Sequence, residues 1–519
     1  MTVAGGGALK ELRLVVSILV PVLLQLGLNS TVKSSTLAFV GHYDPEAIAS
    51  AALGNMYASI TGYSVGVGIT MAVGTYSAQN FGRGAAKENG VVVRNCLYAH
   101  MLCFVFALFM AGASPALLRA CKQPEELLEP VRQFALVSAF AWPGNWVFMC
   151  LSTVLSSQNW QIVGVIGQAL ASAISFALSF WFLASGTGFL GIAFANVVGA
   201  WASVAYVVGH ITWRGEQSVV WRVPPAVSEA GRLTAGEYLR AAFPIAVSMW
   251  VEWWALESMA LFAGWLPGRQ TSIAAHSLLF NMLIALYTAF VAVSRACMIR
   301  VGHQVGAQDE PGIRLAIRVC LMVSTSLACV ASSLVAIFGA QITSFYTHDT
   351  LILKAANSAV LGVALSMPPY SVTMCLMGAL RSAGLQVWGA KAMFVSYYAV
   401  GLPLGYCLGV CGPAGLLGIW LGNVAALCCG AVSCFVKIAS FKWDEVLERS
   451  ASKGESPVMS RASSNLSDSG SSPLLWRPPQ KPSLLATVQH PSLVTNCSLL
   501  SSDEGVHSDA SRDSECASP

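Results

Sequence analysis

Two stretches decide the fold: 149-MCLSTVLSSQNWQIVG-164 and 374-MCLMGALRSAGLQVWG-389. Both begin Met-Cys-Leu, cross a short polar break and return to apolar sequence. Further matches appear on either side of the pair. Pro21 in 19-LVPVLLQLG corresponds to Pro244 in 242-AFPIAVSMW. The segment 79-QNFGRGAAKENGVVVRNC aligns with 303-HQVGAQDEPGIRLAIRVC, pairing Gly82 with Gly306, Arg94 with Arg318 and Cys96 with Cys320. Then 188-GFLG matches 412-GPAG. Four registrations in one order, at an offset of about 224 residues, mark an internal duplication.

What is duplicated is membrane-spanning sequence. Hydrophobic residues make up 55% of the chain and charged residues only 10%. A soluble domain carries roughly 25% charged residues, so too little polar surface is available to face water. Runs such as 97-LYAHMLCFVFALFMAGAS and 322-MVSTSLACVASSLVAIFGA are long enough for a helix to cross a hydrocarbon core about 30 Å thick. Apolar runs between charged or Pro/Gly breaks predict twelve spans: 13–38, 47–76, 91–113, 131–155, 161–184, 188–211, 239–262, 271–297, 315–339, 355–379, 387–408 and 414–437. The first begins near Leu12 without a convincing cleavage site after it, so it is expected to be span 1 rather than a signal peptide. The fifteen cysteines are scattered through apolar sequence at no metal-ligand spacing.

The expected architecture is all-α and polytopic, with two pseudo-twofold-related six-helix lobes over residues 1–220 and 221–440. Six spans per copy is even, so both copies enter the membrane from the same side. The repeat is therefore parallel, and the natural binding site is the cleft between the halves. Basic residues orient the chain. One side is expected to gather Lys10, Arg13, Arg83, Lys87, Arg94 and Arg214, and also Arg295, Arg300 and Arg381. The other keeps only Arg119, Lys122, Arg132, Arg269 and Lys354, so both termini are expected to be cytoplasmic. After Phe441 the composition turns to Ser, Pro, Asp and Gly, as in 462-ASSNLSDSGSSP. Such a stretch buries too little apolar area to offset its ordering entropy, so residues 441–519 are expected to form a disordered cytoplasmic tail.

A charge in a bilayer is costly, by at least about 2.5–3.5 kcal/mol at a helix centre, so each one marks a functional candidate. Of the twenty-five acids only Glu252 and Glu257 fall inside spans, both in 244-PIAVSMWVEWWALESMALF. Desolvation in an apolar cavity penalises the carboxylate ion, so such a group can take up a proton on one side and release it on the other. Five residues of helix rotate the two side chains about 140° apart. Glu252 facing the interior of the second half with Glu257 on the cleft, or a local bend that brings them together, are both open. Alternatively both are protonated acids that tie span 7 to its neighbours. Trp253 and Trp254 beside them suit an organic cation through the ring quadrupole, or equally serve packing. Lys33 in span 1 either snorkels to the interface or faces the cleft, where it would favour anionic or zwitterionic solutes. Gln25 joins the candidates on span 1. His100 and His276 read as core histidines. No Walker loop, HExxH or nucleophile elbow is present in useful context, so no enzyme, cofactor or nucleic-acid role is expected.

These residues resemble the multidrug and toxic compound extrusion (MATE) family of eukaryotes. The stretch 39-FVGHYDPEAIASAALGNMYASITGYSVGVGITMAVGTYSAQNFGRG is similar to the family's first-half pattern. The stretches 243-FPIAVSMWVEWWALE and 299-IRVGHQVGAQDEPGIRLAI resemble its FP…EWW..E and VRVGNALGAG segments. The resemblance covers residues 15–437. It implies a secondary antiporter that exchanges protons or sodium for small organic solutes, xenobiotic or metabolite organic cations above all, by alternating access. Glu252 and Glu257 match the family's helix 7 glutamates, implied to couple ions and bind cations. The helix 8 position where animal members often place Glu is Asn281 here, and the usually acidic helix 10 position is Tyr370. The implied membrane is the plasma membrane or a vacuolar-type organelle membrane. A flippase or organic-anion transporter of the same superfamily is the nearest alternative, and a sensor using the serine-rich tail the more distant one.

Overall fold

The structure, a computed structural model, describes residues 2–43, 48–120, 124–186, 188–223 and 233–452. Among the described residues, twelve long helices carry the fold. The first half supplies α1 (Thr2–Tyr43), α2 (Leu53–Gly82), α3 (Ala86–Gly112), α4 (Glu125–Ser157), α5 (Gln161–Ala184) and α6 (Leu190–Arg214). The second supplies α7 (Ala235–Ala263), α8 (Arg269–Gly306), α9 (Glu310–Tyr346), α10 (Thr350–Ser382), α11 (Gln386–Cys411) and α12 (Gly415–Ser440). Eleven are long and apolar enough to span a membrane. In α7 the apolar character is diluted by Glu252, Glu257, Trp250, Trp253 and Trp254. No strand occurs among the described residues.

Most helices outrun their expected spans. The expected span 271–297 is the helix Arg269–Gly306, and 315–339 is Glu310–Tyr346. Helix turns beyond the hydrocarbon carry polar residues, so hydropathy loses them while the backbone ladder continues. At the C-terminus the helix Asp444–Ser452 follows α12, and Trp443 and Val446 are buried in the second-half core. Where the tail is expected to begin at residue 441, packed chain therefore continues. Residues 453–519 lie outside the described residues.

The duplication is visible in the backbone. Gly84 (φ 73°) and its partner Gln308 (φ 59°) are left-handed, as are Asn159 (φ 65°) and Gly384 (φ 73°). Around each, the same closing bonds recur: Ala85 N–H donates to the Asn80 carbonyl at 2.8 Å and Asp309 N–H to that of Gln304 at 3.0 Å. Trp160 N–H reaches the Leu155 carbonyl at 2.8 Å, and Leu385 N–H that of Leu380 at 2.9 Å. This six-to-one bond with a left-handed residue satisfies the orphan carbonyls of a helix end. Gly tolerates the conformation freely and Asn at little cost, whereas Gln308 is held there by the repeat's geometry.

Each half's first helix also packs in part against the other half. Val15, Ile18, Leu19 and Val22 of α1 pack in the core of the second half. Tyr238, Ala242 and Ile245 of α7 pack in a core of the first half. Tyr238 fixes this contact by donating its hydroxyl to the Ile69 carbonyl at 2.8 Å.

Candidate functional site

Helix α7 opens on a capping box, with the Thr234 hydroxyl accepting from Glu237 N–H at 3.2 Å and the Glu237 carboxylate accepting from Thr234 N–H at 2.9 Å. The cap fixes where the helix starts and so the rotation of everything after it. Glu252 then falls on a buried face, 4% exposed, while Glu257 falls on an exposed one. Across from Glu252 stands Tyr370 of α10, 2% exposed, whose hydroxyl donates to Glu252 Oε1. The phenol ring is wedged between Tyr287 and Phe290 of α8, at centroid distances of 5.6 and 6.2 Å. Pro368 and Pro369 lie within α10 just before Tyr370, where a proline removes a backbone donor and frees a carbonyl. The Ser332 hydroxyl of α9 donates to the Ala364 carbonyl at 2.8 Å, the one that Pro368 leaves without its helical donor.

Glu252 opens onto a cavity that both halves line. Gln25 of α1, Thr70 of α2 and Ser152 of α4 form one wall, and Glu252, Arg295 and Arg381 belong to the other. Gln25 Nε2 donates to the Ser152 hydroxyl at 3.4 Å. Five methionines, Met71, Met149, Met249, Met298 and Met374, supply much of the apolar surface. Flexible, polarizable thioethers suit a surface that adapts to its ligand. Glu252 is the sole acid among the lining residues, against two guanidinium groups.

Those arginines correct the charge sorting made on sequence. Arg295 and Arg381, together with Arg300, are expected in connections on the basic side, and all three instead sit within α8 and α10. Arg295 lies eleven residues before the end of α8, about 16 Å along the axis. Arg381 is in the last turn of α10, and its Cα–Cβ bond leans back toward the helix N-terminus, so the long side chain forms the cavity floor. It is 8% exposed, its Nε has no hydrogen-bond partner, and neither it nor Arg295 enters an ion pair among the described residues. The signal available in the sequence was Arg295 itself, inside an expected span. Counting it by sign alone hid it.

The remaining candidates are not drawn into this cavity. Trp253 and Trp254 are 39% and 64% exposed, and Trp253 meets Tyr287 edge-on at 6.4 Å. Asn281 is exposed and its amide nitrogen donates to the Ser277 carbonyl at 2.8 Å. Lys33 lies on α1, but its side chain falls outside the described residues. His100 is held by Thr70 at 3.0 Å and stacked on Trp146, and His276 is buried beside Trp420.

Below the floor the halves are sealed together. Arg300 of α8 makes a buried bidentate pair with Glu11 of α1, Nε to Oε1 at 2.8 Å and Nη2 to Oε2 at 2.7 Å. His303 donates from Nε2 to the Ser157 carbonyl of α4 at 2.6 Å and accepts at Nδ1 from Arg300 at 3.2 Å, an assignment that this pattern of partners requires. Its ring packs on Phe81, 4.9 Å between centroids. Backbone meets backbone here, because a Cβ on Gly82 would strike the His303 carbonyl and one on Gly306 that of Gln79. Gln79 Nε2 also donates to the Ser382 carbonyl at 2.8 Å.

A twelve-helix bundle in two like halves, with a polar cavity between them and an end sealed, is the architecture of a membrane carrier. The profile of the family described as MatE matches residues 21–181 and 244–407, one block in each half, and the chain belongs to this family. It is 26% identical over 420 residues to multidrug and toxin extrusion protein 2 of Oryctolagus cuniculus, covering 78% of this chain and 67% of that protein. To Protein DETOXIFICATION 17 of Arabidopsis thaliana it is 24% identical over 423 residues, covering 80% and 87%. Among solved structures it matches the eukaryotic MATE transporter AtDTX14 with a TM-score of 0.77 at 21% identity, covering 86% and 99%. The chain is an integral multi-pass membrane protein of a family of transporters, not enzymes.

Proposed function

We propose that this chain is a proton-coupled antiporter that moves small organic solutes by alternating access, with Glu252 as the coupling carboxyl. The observation that carries the proposal is the isolation of Glu252. It is the one acid in the cavity shared by the two halves, buried and hydrogen-bonded by Tyr370. The Tyr370 hydroxyl is placed to hold the carboxylate when the proton leaves. A proton and a cationic group on a solute then compete for one carboxylate, which makes the two fluxes an exchange. The two halves rocking about the shared cavity would present it to each side in turn. Both termini are proposed to face the cytoplasm, in the plasma membrane or an organelle membrane, since Lys10, Arg13, Arg83, Lys87 and Arg94 remain on one side without the three arginines reassigned above.

The test is flux in proteoliposomes holding the full chain, with a pH gradient or a sodium gradient imposed separately. Uptake of a radiolabelled aromatic amine or amino acid is expected under the pH gradient and expected to vanish in Glu252→Gln. Uptake by that variant equal to the unmodified protein sinks the coupling assignment. Uptake driven by the sodium gradient alone replaces the proton with sodium.

A further inference from the structure

The cavity holds more positive charge than its coupling acid can balance. Even with Glu252 ionised, two guanidinium groups face one carboxylate. Arg381 is more than nine-tenths buried, with its Nε unbonded, and the nearby Ser294 hydroxyl is also buried without a partner. A charge withdrawn from water without a partner is among the costlier features a fold can carry. A basic residue in a helix's last turn commonly caps the final carbonyls, but Arg381 makes no such bond. Its donors are left facing the cavity.

We propose that the substrate is amphipathic and zwitterionic, with an acidic group held by Arg381 and Arg295 and a cationic group at Glu252. The inference rests on exchange at Glu252 proposed above, and that exchange selects among charged solutes. A purely anionic solute would bind better once Glu252 is protonated, so linkage would send proton and anion the same way. A purely cationic solute would compete with the proton, yet would leave both guanidiniums unpaired and repelling it. A zwitterion competes with the proton through its cationic end and pairs the arginines through its acidic end. Planar guanidinium matches carboxylate, sulfonate or phosphate oxygens in a two-point contact. The five cavity methionines then accept an apolar body of variable shape.

Three probes with one aromatic body separate the possibilities: naphthylalanine, naphthylpropionate and naphthylethylamine. Their binding to the purified full-length protein is measured by equilibrium dialysis, with no ion gradient. Naphthylalanine is expected to bind tightest. Arg381→Gln should weaken naphthylalanine and naphthylpropionate at least about tenfold, without weakening naphthylethylamine, and Arg381→Lys should restore part of the loss. Arg295→Gln should act in the same direction, and it stands in if Arg381→Gln does not fold. Tightest binding of naphthylethylamine by the unmodified protein overturns the proposal. So does naphthylalanine binding that neither arginine substitution changes, or absence of saturable binding by all three probes. The coupling reading fails separately: proton-driven flux that survives Glu252→Gln removes the exchange but leaves an arginine-dependent acidic subsite standing.

Discussion

Arg295 and Arg300 lie five residues apart on α8 and live in opposite circumstances. Arg300 is locked to Glu11 by two short hydrogen bonds, touches His303, and sits where backbone packs on backbone. Arg295 shares a cavity with Arg381 and makes no ion pair among the described residues. The same side chain is a fastener in one place and a binding group in the other, and the difference is whether its counter-charge belongs to the protein. At the sealed end the pairing partner comes from the other half of the duplication, so the bond joins α1 to α8. In the cavity the missing partner is left for the solute. A carrier needs both: a seal that holds one side shut, and a site unsatisfied until loaded.

The seal offers the largest effects. Gly82→Val puts a branched Cβ against the His303 carbonyl, a clash with backbone rather than with a flexible side chain. Transport is expected to be lost outright, and amide hydrogen exchange over residues 79–85 should rise sharply as the end springs open. Unchanged flux in this variant would mean that the seal is not needed in the cycle. Next comes Glu11→Ala, which leaves Arg300 buried without its anion and should destabilise this sealed conformation by about 3–5 kcal/mol. A thermal unfolding scan in detergent reads it, and the pair Glu11→Leu with Arg300→Met should recover most of the loss.

One substitution at two places sharpens the comparison further. Arg300→Met strands the Glu11 carboxylate in a buried site and should lower stability by several kcal/mol, about the cost of breaking a buried pair. Arg381→Met breaks no ion pair among the described residues, and the Nε it removes makes no hydrogen bond. Its melting temperature should hold or rise while binding of acidic solutes falls. Equal destabilisation by both changes would dissolve the distinction between fastener and binding group.

Much of this was legible in sequence. The twelve spans, the duplication and the parallel relation of the halves follow from apolar run length and from pairs such as Arg94 with Arg318. Glu252 was visible for a simple reason: an acid within 18 apolar residues has few bland explanations. Arg295 and Arg381 were not, because both fall at the edge of an expected span, where arginine is the ordinary mark of a membrane interface, and sign counting cannot tell a side chain facing water from one facing a cavity. Nor does hydropathy contain the rotation of α7, which turns Glu252 inward and Glu257 to the exposed surface. The pairing of Glu11 with Arg300 spans 289 residues and has no sequence signature at all.

The smallest effect concerns Tyr370, at the position where the family resemblance implied an acid. Its hydroxyl donates to Glu252, so Tyr370→Phe removes one charge-assisted bond and leaves the ring packed on Tyr287 and Phe290. Such a bond contributes about 1.5–3 kcal/mol to the ionised carboxyl. Without it the carboxylate loses a side-chain donor, and the pH dependence of exchange should differ from that of the unmodified protein. The shape of the flux-versus-pH curve is the measurement, taken in proteoliposomes over a range that brackets neutrality. A curve displaced along the pH axis with its maximum preserved assigns the phenol to tuning the coupling acid. A lower maximum at unchanged pH would instead place Tyr370 with the packing residues around Tyr287 and Phe290.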